Sequence, residues 1–328
     1  EQVSKNNYLK KNKVESPIID DYELLESSIK LNLSSENLNI NTNFLVYEKL
    51  NQKNNNDKYE YIFPKIELYK RIQNKTKLDG NFNFNSNNYI YHYDTNVYER
   101  VNTNDIVFNS KPKISNKGIN NNYNFIIKNS NTNSNNSISH KEDADYYISG
   151  LFQFNSSYPL IKKKNSYRKL FRPKMSLKFS PNNTRDISHK EYKIDVNNIF
   201  NLDRVSSSET LEGGVSLAYG SDYVLTNENN NREIFSLKLA NNLRIKENND
   251  IERNNQLGAK TSNFFGEITY SPLESLSSTY KFSTLNNLSN INYQNLITEL
   301  KFNNFTNTID YLKQDGDKNS YFLNKTTY

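Results

Sequence analysis

Along this chain large apolar residues and polar residues take turns over short stretches, and almost nothing repeats at the spacing of a helix. From Tyr146 to Phe154 one parity holds Tyr146, Ile148, Gly150, Phe152 and Phe154, and the other holds Tyr147, Ser149, Leu151 and Gln153. The same alternation returns near the end, in Leu276, Ser278, Tyr280 and Phe282, in Leu296, Thr298, Leu300 and Phe302, and in Phe305, Asn307, Ile309 and Tyr311. A period of two marks a β-strand with two unlike faces, and each stretch has the roughly ten residues that a tilted strand needs to cross a bilayer. The pattern predicts strands over 27–35, 37–48, 58–70, 78–86, 88–100, 104–112, 122–128, 145–155, 168–180, 192–200, 211–226, 232–246, 257–271, 274–284, 291–302, 304–313 and 319–327. Turn-forming clusters separate them, among them Asn54 to Asp57, Asp79-Gly80, Asn227 to Asn231 and Asn286 to Asn290. Strands joined by short polar turns make an antiparallel meander, broken here by long connections near 115–143 and 156–167.

Composition sharpens this. Only 34% of the 328 residues are hydrophobic and the mean hydropathy is -0.89. Disordered chains tolerate so little apolar content, and so do membrane barrels, in which only the lipid-facing half of each strand need be apolar. With 24 Tyr and 18 Phe the chain is too aromatic for a solvated polymer, which favours the barrel. A sheet with an apolar face in lipid must satisfy every backbone group internally and close on itself. The expectation is therefore an all-β, antiparallel up-and-down transmembrane β-barrel, partial or incomplete, with about 14–17 strands, forming one domain over 1–328. The parity of Tyr146, Ile148, Phe152 and Phe154 is expected to face lipid. The Asn-rich run within 115–143 reads as a flexible loop. A soluble Asn-rich β-sandwich or solenoid is the competing fold.

No run of 18 apolar residues exists, which excludes a helical span. The chain opens Glu1-Gln2-Val3 and shows no secretory signal, so it reads as a mature segment or a fragment. Cysteine is absent, removing disulfides, thiol nucleophiles and Cys-based zinc sites. A formal charge of +6, spread along the chain, favours anionic lipid or phosphate over duplex nucleic acid.

One ordered set of short motifs is more specific. Leu170-Phe171-Arg172-Pro173-Lys174 opens a strand that ends at Ser180-Pro181. Asn198-Ile199-Phe200-Asn201-Leu202-Asp203-Arg204-Val205 follows, then Glu212-Gly213-Gly214 leading into Val215-Ser216-Leu217-Ala218-Tyr219-Gly220. This set, clearest over about 145–270, resembles the barrel domain of the LPS-assembly protein family LptD, also called the organic solvent tolerance family. Tyr61-Ile62-Phe63-Pro64-Lys65-Ile66-Glu67-Leu68 is a further echo. The resemblance marks Arg172, Pro173, Pro181, Asp203, Arg204, Gly213 and Gly214 as motif residues. Pro173 is expected near a strand start, where its missing N–H falls outside the ladder, and Pro181 at the strand end. Gly213-Gly214 permits a sharp turn or bulge. Asp203 and Arg204 read either as partners inside a lumen or as a solvated loop pair.

The resemblance implies a job without catalysis and without a cofactor: assembly of lipopolysaccharide into the outer leaflet of a Gram-negative outer membrane. It implies partners too, namely lipopolysaccharide, an LptE-like plug lipoprotein and periplasmic Lpt bridge proteins, with a lateral opening between the first and last strands. The family's periplasmic jelly-roll and its cysteines are not evident, and the chain ends at Tyr328 without an obvious closing strand. Another outer-membrane barrel, a porin or nutrient receptor, would keep the fold and change the cargo.

The remaining candidates for chemistry are weak. His92, His140 and His189 are too far apart for a helical metal site. His140-Lys141-Glu142 and His189-Lys190-Glu191 imitate the His-x-Glu of a deaminase, but without its Pro-Cys-x-x-Cys they read as solvated turns. Asp20-Asp21 carries no mark of a catalytic dyad. Lys162, Lys163, Lys164 and Arg168 imitate a nucleic-acid stripe. In a lipid transporter they are candidate contacts to lipid phosphates.

Overall fold

The structure is a computed structural model that describes residues 24–50, 58–94, 96–188, 190, 192–252, 255–314 and 320–328. His189, Glu191, Asp20-Asp21 and the Asn54 to Asp57 turn lie outside the described residues. Among the described residues there are seventeen strands and no helix: β1 (Leu24–Ser35), β2 (Leu38–Lys49), β3 (Tyr59–Ile72), β4 (Gly80–Tyr93), β5 (Val97–Ser110), β6 (Lys113–Ile114), β7 (Asn120–Asn135), β8 (Asp145–Ser157), β9 (Leu160–Lys164), β10 (Tyr167–Ser180), β11 (Gly214–Asn227), β12 (Arg232–Arg244), β13 (Phe264–Leu273), β14 (Leu276–Thr284), β15 (Ile291–Phe302), β16 (Phe305–Gln314) and β17 (Tyr321–Thr327). They run up and down as an antiparallel sheet, with β8 and β9 following one another along the same neighbour, β10. β1 pairs β2, β2 pairs β3 and β3 pairs β4. The second series continues strand by strand from β10 to β17.

The residues group into two compact units. One comprises 1–109, 126–149 and 208–210, the other 110–125, 150–207 and 211–328. In the second unit the turns 165–166, 228–231, 274–275 and 303–304 lie at one end of the strands, and the long connections 181–213 and 245–263 lie at the other.

The two faces of the strands are inverted relative to a water-soluble protein. On β8, Ile148 is 65% and Phe152 42% exposed, while Ser149 is 2% and Gln153 1% exposed. On β10, Phe171, Met175, Leu177 and Phe179 are exposed, and Ser176, Lys178 and Ser180 are buried. In the first unit Ile29, Leu31 and Leu33 of β1 are exposed, and Glu26 is buried. A soluble sheet would bury the first kind and solvate the second. This wall is dressed for hydrocarbon.

Several expected elements are corrected. Residues 120–135 of the Asn-rich run form the continuous strand β7 rather than a flexible loop. Its even positions Ile126, Lys128, Ser130, Thr132 and Ser134 are buried, so the period of two outweighs the low strand propensity of asparagine. The three strands expected over 78–112 are two long ones, β4 and β5. The connection expected at 156–167 holds β9. No strand forms over 192–200. There Asp195 Oδ1 accepts from the backbone N–H groups of Asn197 (2.8 Å) and Asn198 (3.0 Å), an Asx turn that takes donors a ladder would need.

Pro173 lies in the middle of β10, opposite Tyr158, not near its start. Its carbonyl accepts from Tyr158 N at 3.0 Å, and the return bond is impossible without an N–H. The neighbouring strand breaks at that point, between Ser157 of β8 and Leu160 of β9, where Pro159 sits. Pro181 directly follows β10.

Candidate functional site

The connections 181–213 and 245–263 fold onto the polar face of β11–β13. Ile187, Ile194, Val196, Ile199 and Val205 from the first, with Ile251 and Leu257 from the second, pack on Ala218, Ala240 and Phe265 of the strands. This is the principal apolar core of the second unit. It fixes the long connections against the wall. Small residues at positions 218 and 240 leave room for that layer.

Beneath it lies a buried ionic cluster built from the motif residues. Arg204 grips Glu212 with both arms, Nε to Oε2 at 2.6 Å and Nη2 to Oε1 at 2.6 Å, and also donates to Ser216 Oγ (3.0 Å) and to the Ile199 carbonyl (3.2 Å). Arg244, at the end of β12, donates to Glu212 Oε1 and to the Gly213 carbonyl. Lys178, buried on β10, donates to the Asn201 carbonyl. Bidentate pairing of a guanidinium with a carboxylate is the strong, geometrically specific form of such contacts. One carboxylate thus ties Arg204, within the first connection, to Arg244 of β12.

The glycine pair serves the same knot. A Cβ on Gly213 would stand 2.3 Å from the Asn182 carbonyl, so only glycine lets the two ends of the connection meet. Gly213 N donates to Thr184 Oγ1 at 2.8 Å, and Asn248 Nδ2 donates to the same oxygen at 2.6 Å. Gly214 has φ +85°, the left-handed turn that starts β11. Asp203 plays a different part from its neighbour: its Oδ1 accepts from Ser206 N at 3.1 Å and shapes the turn.

Burial pushes the Glu212 carboxyl up, but the Arg204 charge and hydrogen bonds, with Lys178 and Arg244, outweigh it and hold the group well below its ordinary value of 4.5. A depressed folded-state value means stability that is fully present above the unfolded value and lost as pH falls through the folded one. In detergent micelles, the gap in unfolding temperature between wild type and Glu212→Gln is therefore expected to stay constant from about pH 8 to 5 and to narrow in stronger acid. A gap independent of pH down to about 2 would contradict this account of the cluster.

Arg172 stands apart. On β10 it faces Asp222 of β11 directly, with Nε and Nη2 at 3.1 and 2.6 Å from Oδ2, and Lys174 Nζ reaches Oδ1 at 2.8 Å. The basic residues Lys162, Lys163 and Lys164 of β9 and Arg168 of β10 lie beside the 165–166 turn, at the end opposite the ionic cluster. Lys163 sits across from Arg168 and pairs with Glu228 at 2.7 Å.

In the first unit the expectation that His140 is a solvated turn residue is overturned. Its side chain is buried between Glu99 (3.8 Å from Nε2) and Glu209 (3.6 Å from Nδ1). Ser134 Oγ donates to its carbonyl at 3.1 Å, which explains why the turn folds inward.

Sequence reading did not single out Lys178, Arg244 or Asp222. The available signal was a charge on the polar parity of an otherwise apolar-alternating strand.

An exposed apolar face, a charged and amide-rich opposite face, short turns at one end of the strands and folded-in long connections at the other are the marks of an outer-membrane β-barrel protein. The family model LptD, LPS transport system D, matches residues 1–327, and the chain belongs to that family. Its job is lipopolysaccharide transport and assembly at the outer membrane. No curated protein matches the chain.

Proposed function

We propose that the polar face lines a lumen that receives the saccharide part of lipopolysaccharide while the acyl chains leave sideways into the outer membrane. The end with short turns faces the periplasm and the long connections face outward, the usual arrangement of such barrels. The protein works without chemistry of its own. Upstream Lpt bridge proteins supply the lipid and the energy, and an LptE-like lipoprotein sits in the lumen. Lys162, Lys163, Lys164 and Arg168 then stand at the periplasmic rim, where they meet lipid phosphates. The observation that carries the reading is the inversion of the faces, with Phe171, Met175, Leu177 and Phe179 exposed on one side of β10 and Lys178 buried on the other.

Site-specific photocrosslinking tests it in vesicles carrying the full chain and its bridge partners. A photoreactive residue in place of Lys238 or Asn295, on the polar face, is expected to capture lipopolysaccharide through its sugars during transport. One in place of Leu239, on the apolar face, is expected to capture acyl chains of bulk phospholipid. Capture of lipopolysaccharide sugar from Leu239, with none from Lys238 or Asn295, would reverse the reading.

A further inference from the structure

At the long-connection end of the second unit, a cavity of about 550 Å³ lies between residues 192–196 and the polar face of β13–β15. Its floor is two adjacent cross-strand rows. Phe265, Ser283 and Tyr293 stand side by side in register, and next to them Glu267 faces Lys281. Lys193 reaches over from the roof: its ammonium lies 4.0 Å from the centre of the Tyr293 ring and hydrogen-bonds the phenol oxygen. The cavity also meets Asn292, whose Oδ1 is buried and has no hydrogen-bond partner among the described residues. Such an orphaned acceptor costs free energy unless a donor arrives.

The chemistry of this lining selects a class of ligand. Its volume falls within the roughly 300–1,000 Å³ of small-molecule sites. Aromatic surfaces interleave with hydroxyl, amide and carboxylate groups, which suits a pyranose ring, apolar on its C–H faces and ringed by hydroxyl donors. A phosphate or nucleotide would want unopposed cations, and here Lys281 and Lys238 both neighbour Glu267, at 3.7 and 2.6 Å. An acyl chain would want a continuous apolar lining, and this one has charges on its floor. We infer that this cavity is a saccharide-binding subsite for one or two pyranose units, with Tyr293 as the stacking platform, Asn292 Oδ1 as an acceptor for a sugar hydroxyl and Lys193 as a side chain that closes over them. The assignment rests on the proposed passage of lipopolysaccharide along the polar face and names one sugar contact on it.

Calorimetric titration of the full chain in detergent micelles tests this, with oligosaccharide released from lipopolysaccharide by mild acid, with intact lipopolysaccharide and with lipid A alone. Wild type is expected to bind the free oligosaccharide, and Tyr293→Ala to bind it about tenfold more weakly. Ser283→Trp, which fills the cavity, is expected to abolish that binding, and Lys193→Ala, on the exposed roof, to weaken it while leaving the unfolding temperature unchanged. Equal oligosaccharide affinity in wild type, Lys193→Ala and Ser283→Trp would overturn the subsite, as would binding of lipid A alone with no response to the free sugar. Retained lipopolysaccharide crosslinking from Lys238, together with no oligosaccharide binding, would sink the subsite and spare the transport reading. The reverse pair of results would do the opposite.

Discussion

Replacing Glu212 by alanine is expected to cost about 3–5 kcal/mol and to free the 181–213 connection for proteolysis, because two buried guanidinium groups then lose their shared carboxylate. Removing Arg204 alone should cost less, since Arg244 still holds Glu212. The double change Arg204→Ala with Glu212→Ala should be no worse than Glu212→Ala, as members of one network do not add. Unfolding in micelles, followed by the loss of heat-modifiable gel mobility, gives the ranking, and brief protease treatment reports the connection itself. A Glu212→Ala protein as stable and as protease-resistant as wild type would show that the cluster fastens nothing.

The second large effect concerns the other face. Arginine in place of Phe152 or Met175, both exposed on the apolar side, should destabilise the protein in bilayers by about 2–4 kcal/mol, because a charge near the membrane middle has no partner there. Arginine in place of Thr279, on the polar side of β14, should cost far less. Spin labels give the same answer without a change of charge: at Ile148 and Phe152 they should report lipid, and at Ser149 and Gln153 a polar surrounding. Water at the first pair with lipid at the second would mean that the faces are assigned the wrong way round.

Alternation made the strands legible, since a half-buried strand has to write its two faces into successive residues. β8 and the strands from β14 to β16 lie within a few residues of the spans expected for them. Composition misled where it was allowed to overrule the period. In β7 the asparagines that suggested a loop hydrogen-bond across the sheet, as Asn131 Nδ2 does to Asn102 Oδ1 at 3.3 Å, so polar side chains fill a face that apolar ones would normally hold. The opposite error came from Ile194, Val196 and Phe200, whose spacing imitates a strand although they pack into the core of a folded-back connection.

The motif order was readable too, but its meaning was not. Arg204 and Glu212 are close in the chain, yet only the fold shows that they hold one another, and Arg244 joins them from a strand beyond. A single sequence carries no trace of which charges will share one buried space.

The interruption shared by β8, β9 and β10 bears on how the sheet finds its alignment. Pro173 lacks the donor that Tyr158 would have accepted from, and the opposing chain is already broken at Tyr158-Pro159, so Pro173 faces the gap in the neighbouring strand. Sliding either strand by two residues keeps every side chain on its own face, which normally makes such a slip hard to detect. Here it would set Pro173 against the continuous ladder of β8 or β9, where a carbonyl now facing a donor would lose it. The break in one strand and the proline in the other thus favour the observed register over its two-residue neighbours.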